Sequence, residues 1–349
     1  MTIKKAIFLL IFAILCLPAL AAGADSTATT TGYHRYIPHF HGTVRVFFEQ
    51  STVENEARFA VRNARLSAGG YVLPMVDYLL QVDFCDRGKI KLLDAYVSLR
   101  PVPGLRLMAG QMRVPFGIDA SRSPHAYFFM NRSFPGKSQG NLRSVGVKAG
   151  YTLPRFPLYV EAGVFNATDR GDHSQWNRRF TYGAKVRWDA PAGFTPQVAF
   201  MSRAHADTPG ARRLTLYDAS LSWHDSHWWI EAEYERTNVR GHDGCNAFNI
   251  MARYGFDTNF RWMNRLSFEA RFDGTGELTD GTPSADDPSR LTIVSPEHKR
   301  LTLGTTATYR RDKLFLDFRI NYEQYFYDGN APSGPDGNNR LGCALILRF

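Results

Sequence analysis

From residue 313 to 326 the chain reads KLFLDFRINYEQYF, with Leu314, Leu316, Phe318, Ile320 and Tyr322 on one parity and Asp317, Arg319, Asn321 and Glu323 on the other. Successive side chains of a strand point to opposite faces, so this stretch has one oily and one charged face. The alternation recurs over 180–188, 228–235, 248–254, 266–272 and 301–309. No convincing amphipathic helix competes with this period of two.

Turn residues divide the chain into about sixteen strands: 39–50, 58–69, 71–84, 89–100, 104–113, 143–151, 157–165, 178–188, 195–203, 212–224, 227–237, 245–256, 262–273, 298–310, 313–326 and 339–349. The connections alternate in length. The stretches 51–57, 85–88, 114–142, 166–177, 274–297 and 327–338 stand against the tight "GG", "RPVPG", "YTLPRFP", "DAPAGF" and "RRDK". Longer loops at one end, short turns at the other and an even strand number predict an all-β fold, a transmembrane antiparallel β-barrel of the bacterial outer membrane. One face of each strand then meets outer-membrane lipid and the other a water-filled lumen. In "RFAVRNARLSAGG" the parity slips between Val61 and Ala64, which predicts a bulge, and either Arg62 or Arg65 faces inward. Trp188, Trp223, Trp228, Trp262, Tyr151 and Tyr309 fall near strand ends, where interfacial girdles form. The closing "LGCALILRF" places Leu341, Cys343, Leu345, Leu347 and Phe349 on one parity, and its aromatic end is a signal for the barrel-assembly machinery.

Composition changes this picture little. A 44% hydrophobic content and a mean hydropathy of −0.30 look soluble, but a barrel strand needs only every second residue apolar. Residues 1–24 read as a signal peptide: Lys4 and Lys5, an apolar run from Ala6 to Leu17, then small residues near Ala21 and Ala24. Residues 25–38 are a periplasmic leader and 39–349 the barrel. Removing Lys4 and Lys5 lowers the net charge from +9 to about +7. Cys85, Cys245 and Cys343 are too few and too scattered for a disulfide framework, a Cys85 to Cys245 pair being the alternative.

The longest loop, 114–142, is basic. Arg122, Arg132 and Lys137 lie in it, Arg113 and Arg143 flank it, and Asp119 is its one acid. A basic constriction raises local anion concentration, and rings of Arg and Lys are the usual device of anion pores. The competing reading has these cations anchor the loop to wall acids such as Asp77, Asp83 and Asp94. By parity Arg106, Lys148, Arg179, Lys185 and Arg187 join Arg62 or Arg65 on the lumen wall, with Arg45, Arg203, Arg253, Arg265, Arg271 and Arg319. Strands five to nine are mostly basic inside and strands ten and eleven mostly acidic, an asymmetry expected to set a transverse field across the lumen, the alternative being a set of neutral cross-strand ion pairs.

Several motifs carry a resemblance. They are "RNARL" at 62–66, Asp94-Ala95-Tyr96-Val97, "GQMRVPFG" at 110–117, Asn131-Arg132-Ser133, Arg143 with Gly146-Val147, and "YVEAGVFNAT" at 159–168. On these the chain resembles the phosphate-selective porin O and P family, as a divergent member. The resemblance implies a homotrimeric, anion-selective channel. Asn63 and Asn131 stand where the family has a second Arg and an acid.

Other chemistry finds no support. The pair His39 and His41 has no further metal ligands nearby, no nucleophile elbow or phosphate-cradling loop occurs, and the positive charge is spread through alternating strands rather than gathered for nucleic acid. No enzyme activity, cofactor or metal is expected. The expected function is a passive channel preferring small anions, phosphate or other oxyanions among them. A general porin without selectivity, and a non-conducting barrel whose loops 274–297 and 327–338 bind a partner, are the alternatives.

Overall fold

The computed structural model describes residues 36–86, 88–137, 142–168, 173–205, 208–329, 331–332 and 334–349. The expected signal peptide, most of the leader and residues 138–141 of the long loop lie outside the described residues.

Sixteen strands close into an antiparallel barrel. In chain order they are β1 (His39–Ser51), β2 (Ala57–Leu73), β3 (Val76–Asp86), β4 (Lys89–Leu99), β5 (Leu105–Arg113), β6 (Arg143–Thr152), β7 (Leu158–Asn166), β8 (Phe180–Trp188), β9 (Phe194–Arg203), β10 (Leu214–His224), β11 (Trp228–Val239), β12 (His242–Phe260), β13 (Met263–Thr275), β16 (His298–Arg311), β17 (Leu314–Tyr327) and β18 (Arg340–Arg348). Between β13 and β16 the long loop folds into a separate hairpin, β14 (Leu278–Pro283) and β15 (Leu291–Ser295), which the alternation did not foretell. Each strand pairs with its neighbours, and β1 meets β18 through Arg45 opposite Ile346 and Phe48 opposite Cys343. At this seam Gly42 N–H donates to the Phe349 carbonyl at 2.8 Å and Phe349 N–H returns to Gly42 at 3.1 Å. Closure leaves no sheet edge, as a bilayer requires.

The expected bulge is present: the register between β1 and β2 shifts where Arg45 faces Asn63 and Val46 faces Val61, so Arg62 is the extra residue. One turn is displaced. Gly69 and Gly70 are not a turn but lie inside β2, which continues to Leu73 and turns at Pro74-Met75. Pro removes a ladder donor, so the chain reverses there and not at the glycines. β12 also runs longer than the alternation suggests, and β3 starts and ends later, which shortens the connections after β11 and β3.

Outward faces are apolar, with Phe59, Ile90, Ile250, Phe268 and Leu303 exposed to the bilayer. Trp188, Trp223 and Trp228 lie at strand ends as expected of a girdle, and Trp262 in the turn between β12 and β13. Cys85, Cys245 and Cys343 are free thiols on β3, β12 and β18, so no Cys85 to Cys245 disulfide forms. Inside, the interior is not uniformly wet. Met108, Met112, Phe165, Met201, Leu214 and Leu216 turn inward from β5 to β10 and form one dry cluster.

Candidate functional site: the loop that crosses the lumen

The loop leaves β5 and returns to β6 through a neck where Val114 N–H meets the Leu142 carbonyl at 3.1 Å. Its first residues are apolar, and Val114 and Phe116 join the dry cluster together with Leu142. Gly183 on β8 makes room for them, since a Cβ there would lie 2.5 Å from Val114 Cγ1. The loop therefore enters the barrel and fills the side of the lumen bounded by β5–β10.

It then crosses to the opposite wall, and its backbone is tied there by inward-facing side chains. Ile118 N–H donates to Glu233 at 2.7 Å, Met130 N–H to Asn321 at 2.7 Å and Phe134 N–H to Asp273 at 3.0 Å. In the other direction, wall arginines donate to loop carbonyls: Arg45 to Met130 (2.7 Å), Arg319 to Phe129 (3.1 Å), Arg271 to Asn131 (2.9 Å) and Arg300 to Arg132 (2.7 Å). A short helix, α1 (Phe134–Lys137), ends the crossing, and the Phe134 ring lies 4.3 Å from the His298 ring with Arg300 above its face at 4.4 Å. Buried amides and carbonyls need partners, so each contact costs free energy to break.

The cations of the loop divide into two sets. Arg122 is paired: it donates to Asp119 at 3.2 Å and to Glu231 at 2.5 Å. Burial alone would lower it, but Glu231 and Asp119 hold the guanidinium above its ordinary value. Burial would likewise raise Asp119, yet Arg122, Arg132 and the Ser133 hydroxyl hold its carboxyl below the usual range. Arg132, by contrast, donates to the carbonyls of Asp119, Ala120, Gly136 and Arg122, and no carboxylate pairs with it among the described residues. Burial pulls it down to about 10; Asp119 opposes this, while the guanidinium groups of Arg143, Arg65 and Arg122 add to it.

The Tyr127 ring bridges Arg132 to the wall, 4.7 Å from the Arg132 guanidinium and 5.3 Å from that of Arg45. Arg62 and Arg65 of β2 lie, like Arg132, within electrostatic reach of Arg45 on β1. Arg45 donates to Asn63 Oδ1 at 3.1 Å and to the Met130 carbonyl, again to neutral oxygens. Two N–H groups here are buried without acceptors, Nε of Arg45 and Nη1 of Arg65. The bulge brings both arginines of the "RNAR" stretch to carboxylates, Arg62 to Asp86 (3.4 Å) and Arg65 to Asp83 (2.7 Å).

The remaining expected residues are placed as follows. Arg113 donates to the Ala120 and Arg122 carbonyls, bracing the loop. Arg143 is buried against Asp94 at 3.0 Å. Lys137 is exposed at the end of α1. Lys148 and Lys185 share Glu161 at 3.1 and 2.9 Å, Arg106 pairs with Asp77 at 2.6 Å, and Arg187 with Asp189 at 3.1 Å, all toward the end of the barrel that holds the short turns. Arg179 does not belong to the wall. It precedes β8 and is exposed, because the strand begins only at Phe180. Of the anchoring acids expected, Asp94 holds Arg143 at the flank of the loop, but Asp77 and Asp83 hold wall arginines, and Glu231, Glu233 and Asp273 hold the loop itself. These acids were visible as inward-facing positions, but which of them meets the loop depends on how far it reaches.

A closed sixteen-stranded barrel with a long loop folded into its lumen defines an outer-membrane porin. The chain belongs to the phosphate-selective porin O and P family, whose model matches residues 39–212. No curated protein sequence matches it. Solved structures with the same fold include the anion-selective porin from Comamonas acidovorans (11% identity, TM-score 0.63, 90% of this chain and 99% of that one). Others are the in-vitro folded OmpT of Vibrio cholerae in its trimer form (10%, 0.58, 90% and 98%) and the outer-membrane channel DcaP of Acinetobacter baumannii (11%, 0.60, 89% and 97%). The protein is an outer-membrane channel of a bacterium.

Proposed function

We propose that this channel prefers anions, and that the cationic cluster of Arg132 on the crossing loop with Arg45 and Arg65 on the wall selects them. The observation behind this reading is that Arg45 and Arg132 donate to amide and carbonyl oxygens and not to carboxylates, so their charge is not cancelled locally. Arg65 and Arg132 are half-buried, so their guanidinium groups reach a passing oxyanion with donors that replace part of its hydration. Low-dielectric packing on the β5–β10 side confines the solute to this path and strengthens the field along it. An anion-selective porin shares the fold, which fits the reading.

The test is the reversal potential of the refolded protein in a planar bilayer under a KCl gradient, for wild type and for Arg65→Gln with Arg132→Gln. A chloride-directed potential that moves toward zero in the variant is expected. A cation-directed potential, or one that the two substitutions leave unchanged, overturns the anion-site reading.

We infer a homotrimer as the assembly. The outward faces of β1–β5 carry no tryptophan, and they expose Phe59 at 81% and Ile90 at 73%. A large apolar face without a girdle suits a neighbouring barrel better than a lipid boundary. OmpT of Vibrio cholerae is known in a trimer form. A monomeric mass by light scattering in mild detergent would exclude the trimer.

A further inference from the structure

Four arginines gather on the outer rim of β10–β12, at the end of the barrel that bears the long loops: Arg212 and Arg213 before β10, Arg236 near the end of β11, and Arg240 in the turn that follows. They face outward. Tyr234, two residues before Arg236, is 48% exposed on the bilayer side, and the Arg213 guanidinium lies 5.7 Å from the outward Tyr182 ring. Arg236 donates to Asn238 (3.0 Å), to the Gly244 carbonyl (3.1 Å) and to Asn246 (2.8 Å). Arg212 donates to the carbonyls of Arg240 (2.8 Å) and Gly241 (3.2 Å). Arg213 donates to Ser202 and to the Phe180 carbonyl. Every acceptor is neutral, and none of the four forms an ion pair among the described residues.

Two glycines shape this patch. A Cβ on Gly244 would lie 2.3 Å from Arg236 Nη2, and one on Gly241 would lie 2.8 Å from Arg212 Nη1. The guanidinium planes therefore rest directly on backbone, held in place with their charge uncancelled.

Beside Arg236 opens a cleft of about 990 Å³. Phe248 and Asn246 line it, together with the acids Asp243, Glu277 and Glu297 and with Lys299. Phe248 shares its parity with Ile250, which is 56% exposed, so the cleft is outside the barrel. The outward Tyr234 lies directly across from Phe248, and Tyr217 and Tyr182 continue the exposed tyrosines round the same rim on β10 and β8, which sets the cleft at the headgroup level.

We propose that the cleft and its arginines hold the phosphorylated sugar headgroup of an outer-leaflet lipid. Phosphate oxygens match the fork of a guanidinium. Sugar hydroxyls can donate to Asp243 and Glu277, and acyl chains continue down over Phe248 and Ile250. A small free anion suits the site poorly: it would meet the carboxylates with no hydroxyl between, and it would leave Phe248 uncovered.

Native mass spectrometry of the detergent-purified full protein, titrated with a bisphosphorylated acyl-glucosamine lipid, tests this. Wild type is expected to bind it, and Arg212→Gln with Arg236→Gln to bind about tenfold more weakly or less, as the loss of one charge-assisted pair implies. Unchanged single-channel conductance shows that the variant is folded. Equal binding by the variant, or equal binding of the dephosphorylated lipid, overturns the proposal. Inorganic phosphate competing at the lipid's own affinity would also overturn it, because the site would then be one for soluble anions.

Discussion

Arg45 Nη2 lies 2.7 Å from the carbonyl oxygen of Met130, so the first strand of the barrel is joined directly to the loop that crosses its lumen. The same guanidinium fixes Asn63 at 3.1 Å and sets its buried charge behind the proposed anion path. Arg45→Ala should therefore change two things at once. Stability in urea titrations of the reconstituted protein should fall by about 1–3 kcal/mol, the cost of an unsatisfied buried acceptor. Single-channel records should show added open-state noise as the loop loosens. A quiet record of normal stability would show that the contact does not hold the loop.

The Arg122 to Glu231 pair is a separate anchor, deeply buried and further constrained by Asp119. Removing one partner of a buried ion pair strands the other, at about 3–5 kcal/mol. Arg122→Met should be strongly destabilising, and Arg122→Met with Glu231→Leu should recover much of the loss. A double variant no more stable than the single one would argue that the pair is not the source of the effect.

Acid should release the same anchor. The Asp119 carboxyl is held below its ordinary value in the folded state, so its contribution is present above the unfolded value, about 3.9, and is lost as pH falls through the folded value. Channel noise is expected to stay flat from neutral pH to about 4 and to rise below that. In Asp119→Asn the acid-induced rise should be absent, and its persistence there would assign the effect to another group.

The seam between β1 and β18 makes a fourth case. A Cβ on Gly42 would lie 2.1 Å from the Phe349 ring. Gly42→Val must displace that ring, and refolding into lipid vesicles, followed by the gel mobility shift of heated and unheated samples, should be slower and less complete. Refolding at the wild-type rate would show that the ring accommodates the change.

The barrel itself was legible because alternation is a local property. Leu314 to Tyr322 against Asp317 to Glu323 needs no knowledge of the rest of the chain, and the same held for the Arg62 bulge. The site was legible only in composition. Arg122, Arg132 and Lys137 mark a basic loop, but whether each is cancelled depends on groups far along the chain: Glu231 neutralises Arg122, while Arg132 donates to carbonyls and stacks on Tyr127. Leu214 and Leu216 point inward where a wet wall was expected. In "LTLY" both faces of the strand are apolar, a local hint that the lumen there is not open water. The hairpin β14–β15 was hidden because its strands pair only with each other, in a Gly/Pro-rich segment that reads as loop.

The dry cluster of Met108, Met201, Leu216 and Phe116 has a consequence for how such a channel can diversify. Sixteen strands set the perimeter of the barrel, but side chains and one loop set the cross-section left for solute. Aperture and scaffold are thus independent variables. Trading a methionine for an alanine on the inner wall, or shortening the loop by a residue, would widen or re-route the passage while every interstrand hydrogen bond and every lipid contact stayed as it was.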